Sequence, residues 1–130
     1  MAVSNFAWEI AHLPLYTLWT EGKPGDLVFA VFHCTAGDLM IAFITLGIAV
    51  MLAGLNRWPD SRIVPVTVLT VSFGLAYTLF SEWLNVFVRQ SWAYSELMPI
   101  IPMIDTGLSP MAQWFLLPLI GLRWARKFTK

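Results

Sequence analysis

Between Leu27 and Leu55 the chain carries one formally charged residue, Asp38, and this apolar run exceeds the roughly 20 residues a helix needs to cross a bilayer. Three further apolar stretches lie at about 6–19, 63–88 and 110–124. The runs are too long for barrel strands and lack the alternation a barrel requires, so helices are the assignment. Charged residues make up only 12% of the chain. An average soluble domain carries about 25% and needs them to dress its surface. The expected fold is therefore all-α: a polytopic membrane protein, one domain over 1–130, built as a four-helix transmembrane bundle. Its first segment is short, carries Pro14, and either tilts across or crosses in part.

Strong turn chemistry separates the segments. Glu21 to Asp26 breaks the chain after the first, and Asn56 to Arg62 after the second. A long connection over 89–109, with Pro99 and Pro102, precedes the fourth, where Ser109-Pro110 predicts an N-cap and a proline at the first helical position. Trp92 and Tyr94 suit the headgroup layer. With four spans, Arg57, Arg62, Arg123, Arg126, Lys127 and Lys130 collect on one side, and Lys23 and Arg89 on the other. The positive-inside rule then places both termini in the cytoplasm; if the first segment does not span, the N-terminus lies outside and the other three spans keep their orientation. Met1 to Asn5 has no basic region of the kind that opens a cleaved signal peptide. The basic tail fits contact with anionic lipid. A formal net charge of zero argues against a nucleic-acid partner. Cys34 is the sole cysteine, so no internal disulfide forms.

Within these apolar stretches lie Glu9, His12, His33, Asp38 and Glu82. An ionisable group in hydrocarbon costs about 3 kcal/mol even on a lenient scale, so such groups face a bundle interior and have a partner or a task. The topology sets them at similar depth. His33 and Asp38 stand roughly 9 and 16 Å into the second segment at about 1.5 Å per residue. Glu82 sits near the corresponding end of the third segment, and Gln113 near the start of the fourth. The opposite halves, such as Ile48 to Leu55, are nearly bare of such groups. A polar pocket opening toward the outer leaflet follows.

Several chemistries fit these residues. Glu9 and His12, three apart, share a helix face and match the spacing of carboxylate–imidazole metal ligation. With His33, Asp38 and Glu82 they make a candidate metal set, without choosing among zinc, iron, manganese and copper. The bland reading is that Glu9 and His12 pair with each other or with a carbonyl released by Pro14. His12 and His33 together are candidate axial ligands of a haem, with Ala36 and Gly37 as small neighbours. Glu82 is a candidate proton acceptor; its bland reading is a hydrogen bond to Ser81, Asn85 or Gln113. Cys34 reads as a small core residue. The apolar connection over 89–109 reads equally as a lid and as a docking patch for other membrane subunits. No phosphate loop, Cys-x-x-Cys pair or serine–histidine–acid signature is present, and the sequence does not decide whether the chain is an enzyme.

Asn5-Phe6-Ala7-Trp8-Glu9 through Pro14-Leu15-Tyr16, and Ser81-Glu82-Trp83-Leu84-Asn85 through Ser91-Trp92-Ala93-Tyr94, resemble small uncharacterised bacterial inner-membrane proteins. The resemblance implies a bacterial inner membrane and brings no activity. Two functions from different classes are expected. One is a buried polar site that binds a metal ion or a small polar ligand. The other is an accessory subunit of a larger membrane complex, in which the polar side chains only join helices.

Overall fold

Helix α1 (Ala2–His12) ends two residues before Pro14, and a single 3-10 turn (Leu13–Leu15) leads to the extended residue Tyr16. Proline lacks the N–H that would continue the ladder; Leu13 before it keeps helical angles, and the chain turns extended at Tyr16. At 11 residues α1 is about 16 Å long, half the apolar thickness of a bilayer. The expected segment 6–19 is thus two pieces, with the short α2 (Leu18–Glu21) beyond the break. This computed structural model describes residues 1–128, so Lys130, counted above among the basic residues, lies outside the described residues.

The long helix α3 (Pro24–Ala53) opens with proline at its first position, and the Lys23 amide donates to Asp26 Oδ2 at 2.9 Å. The turn after α3 takes Asn56 and Arg62 into the left-handed region. Helix α4 (Ile63–Glu82) then runs on as a π-helical segment, Trp83–Val88, marked by Arg89 N donating to the Leu84 carbonyl at 2.7 Å. Such wide turns are frequent at functional sites, and this one begins directly after Glu82. The connection to α5 (Leu108–Arg126) holds a small antiparallel pair, β1 (Ile100–Ile101) and β2 (Thr106–Gly107). Its middle docks on the broken first segment. Tyr94 bridges Tyr16, the Ser95 amide donates to the Leu15 carbonyl, and the Ser95 hydroxyl donates to the Pro14 carbonyl. The connection thus satisfies the carbonyls of the turn that follows α1.

Two helical stretches, Pro24–Ala53 and Ile63–Val88, are long and apolar enough to cross a membrane. The first segment falls short of that, and four crossing helices are not what the described residues contain by this measure. α3 packs on α1 and α4, and α5 packs on α4 and α1, so the helices surround a common interior. Gly74 of α4 lies under the ring of Trp114 on α5, where an added Cβ would collide with Cε3.

The interior is more polar than the surface. The buried positions of α3 and α4 include Thr35, Asp38, Thr45, Thr70, Thr78 and Glu82. Phe43, 82% exposed, Phe29, Met51, Leu52 and Val64 face outward. Three of the buried threonines satisfy their hydroxyls on the preceding turn of their own helix: Thr45 on Ile41, Thr70 on Val66 and Thr78 on Gly74. They need no partner from another helix, and the inter-helix polar contacts fall to a smaller set.

Candidate functional site

Gln113, on the second turn of α5, is almost fully buried, and its amide nitrogen reaches three acceptors on two other helices. Nε2 donates to Asn5 Oδ1 at 3.0 Å, Glu9 Oε1 at 3.2 Å and Asp38 Oδ2 at 2.7 Å. Two amide hydrogens thus serve three oxygens. Asn5 is 2% exposed and donates its own amide to the Met1 carbonyl at 3.0 Å. Asn5 and Glu9 meet because they are four apart on α1, on one face.

The other oxygen of Glu9 lies 3.1 Å from His12 Nε2. His12 Nδ1 lies 3.0 Å from the Ser109 hydroxyl, to which Trp8 Nε1 also donates at 3.2 Å. An indole N–H can only donate, so Ser109 accepts from Trp8; a Glu9 carboxylate can only accept, so a neutral His12 takes the Ser109 proton at Nδ1. His12 then carries its proton on Nε2 and donates to Glu9. Donors run in one direction, from Trp8 through Ser109 and His12 to Glu9. Ser109 does not cap α5 as expected. The helix begins two residues earlier, with Gly107 at the N-cap, and the hydroxyl joins α1 to α5 instead.

Glu82 lines the other side of the same cavity. Its Oε2 accepts from the Tyr94 hydroxyl at 2.5 Å, while Asn85 pairs with Ser81. Burial, and after it the bond to Glu82, push the Tyr94 phenol above its usual range, so it stays a donor. Tyr94 and Trp92, expected in the headgroup layer, belong to this site. Trp92 lines the cavity, and its indole N–H is buried without a hydrogen-bond partner.

The cavity between these groups holds about 360 Å³, within the range of ligand sites. Glu9, His12, Asp38 and Gln113 form one wall and Glu82 another, with Leu13, Ile41 and Trp114 supplying apolar surface. Four of the five residues singled out from the sequence, Glu9, His12, Asp38 and Glu82, are buried around it, and the first three share one hydrogen-bonded network. His33 also lines the cavity but is exposed, its ring stacked on Phe29 at 5.1 Å.

Among the described residues no group of three or more histidine, cysteine, aspartate or glutamate side chains is arranged to hold a metal ion. Both ring nitrogens of His12 are engaged, one by Ser109 and one by Glu9. With His33 at the rim, the two imidazoles do not present free nitrogens to one centre, and the fit to a haem between them is poor. Asn5, Trp8, Ser109 and Tyr94 were not among the residues the sequence pointed to. The i, i+4 relation of Asn5 to Glu9 was the one local signal available; the contacts of Ser109 and Tyr94 arise from packing of distant segments. Comparison with known protein families, with curated proteins and with solved structures gives no match.

Proposed function

We propose that this chain is a bacterial inner-membrane protein. Its helical bundle encloses a polar cavity that binds a small ligand and exchanges protons with it. The membrane placement is supported by the inverted surface: large apolar side chains outside, threonine and carboxylates inside. The C-terminus lies in the cytoplasm, with the 89–107 connection on the far side, from the excess of basic residues at the C-terminal end and the 56–62 turn; α1, half the apolar thickness long, does not by itself carry the N-terminus to the same side.

The observation that carries the ligand reading is the convergence of Glu9, His12, Asp38 and Gln113 on one wall of a cavity that Glu82 faces from another. A bundle held together by polar contacts alone has no use for the adjoining space. The donor chain ending at Glu9 gives a proton a path between imidazole and carboxylates, and Glu82 with Tyr94 offers a second acid–base group. The occupied nitrogens of His12 favour an organic ligand over a metal ion.

The accessory-subunit reading retains one observation. The tip of the connection is apolar and exposed, with Met103 98% exposed beside Leu97, Ile100 and Ile104.

Protein extracted from native membranes in mild detergent tests the proposal by native mass spectrometry and elemental analysis. The expected result is an organic molecule bound to the wild type and lost from Glu82→Gln and Asp38→Asn. A stoichiometric metal that disappears in His12→Ala would overturn the choice of ligand. Wild-type protein that carries neither, and copurifies with other membrane proteins, would favour the accessory subunit.

A further inference from the structure

We infer that the ligand is a lipid dissolved in the bilayer, a slender hydrocarbon chain ending in a hydroxyl group, and that it enters sideways between α3 and α4. This rests on the membrane reading above and names the ligand class for the same cavity. The walls given by α1 and α5 are closed: Glu9, His12, Pro110, Gln113 and Trp114 are all buried. The lining residues that are exposed, His33, Tyr77 and Arg89, stand on α3 and on α4 with its continuation. The open side of the cavity is therefore the gap between these two helices.

Depth decides what that gap faces. Tyr77 stands about 21 Å along α4 from Ile63, at 1.5 Å per residue, inside an apolar layer roughly 30 Å thick. Ile41 and Gly37 of α3 stand at about the same level when measured from Ala53. Exposed Phe29 and Phe80 flank the rim. His33 and Arg89 continue the opening to about 30 and 39 Å on the same scales, the headgroup level, so its inner part at Tyr77 is reached from hydrocarbon, where a lipid is already dissolved.

The unused hydrogen-bonding capacity decides the head group. The donors nearest the acids are engaged: Gln113 on three oxygens, His12 on Glu9, Tyr94 on Glu82. What remains is carboxylate lone pairs together with donors on the lining, the Trp92 N–H beside Glu82 and the Tyr16 hydroxyl among them. A hydroxyl matches both, donating to a carboxylate and accepting from the indole. Three acidic side chains line the space, and Arg89 reaches only its exposed edge, which disfavours an anionic head.

The test uses the full chain in phosphatidylcholine nanodiscs with a sixteen-carbon alcohol bearing a mid-chain diazirine, and maps the crosslinks by mass spectrometry. The expected result is label on Cys34, Ile41, Tyr77 and Ser81 that falls at least tenfold with excess hexadecanol and not with hexadecane. Gly37→Leu should abolish it, because a Cβ there meets nothing within 4 Å and a larger side chain would fill the cavity. Non-saturable label on outward Phe43 and Val64 reports insertion and folding of each variant. Label on Phe43 and Val64 with none saturable in the cavity overturns this inference and leaves the membrane placement standing. Label at neither site overturns the membrane placement itself. Displacement by palmitate in place of hexadecanol overturns the hydroxyl head.

Discussion

Replacing Gln113 with leucine shortens the side chain by one atom and removes a donor shared by Asn5, Glu9 and Asp38. A lower bound follows from hydrogen bonds between membrane helices, which average about 0.6 kcal/mol, so three give about 2 kcal/mol. An upper bound follows from leaving buried acceptors unpaired, at about 1–3 kcal/mol each and so about 3–9 in all. Gln113 borders the cavity, and water drawn into it would satisfy part of the loss. The expected destabilisation is about 2–4 kcal/mol. At about 3 °C per kcal/mol for a chain of this size, Tm falls by about 6–12 °C. Thermal unfolding in mild detergent measures it, with Asp38→Ala and the double variant completing a cycle. Because the two side chains touch, the cycle should return a coupling of about 1 kcal/mol or more. A Gln113→Leu protein within about 0.5 kcal/mol of wild type, with no coupling to Asp38, would refute the view that this amide organises the site.

Gly74→Ala drives a methyl into the buried ring of Trp114 and should destabilise by about 1–3 kcal/mol. Gly37→Ala meets open space and should be neutral or stabilising by up to about 1 kcal/mol; the same thermal assay compares the pair. Tyr94→Phe leaves Glu82 without its phenol donor and should cost about 1–2 kcal/mol. It should also speed amide hydrogen exchange or proteolysis over 93–98, where the connection rests on Tyr16 and Leu15. Unchanged exchange there would mean that the backbone bonds alone hold the connection. Ser109→Ala strands the Trp8 indole and His12 Nδ1 together and should cost about as much, read as a fall in Tm.

The sequence by itself determined the helical class, the two long apolar helices, the breaks at Glu21–Asp26 and Asn56–Arg62, and the shared face of Glu9 and His12. Each of these is a local matter: hydrophobic run length, turn residues, and the rule that residues three or four apart share a helix face. The excess of acids and imidazoles toward one end was legible for the same reason, since depth along a helix is only a count of residues. Which of these groups meet was settled by tertiary structure. Gln113 lies 108 positions from Asn5 and 75 from Asp38, and no local window relates their faces. The rotation of α5 against α4 is set by Trp114 seating on Gly74, and that rotation turns Gln113 inward. The same rotational freedom left His33 on the rim, though it neighbours Cys34 in the chain. The docking of the connection on a helix stopped by Pro14 brought Tyr94 to Glu82. Distance along a helix is written in the sequence; the angle between helices is fixed only when their surfaces interlock.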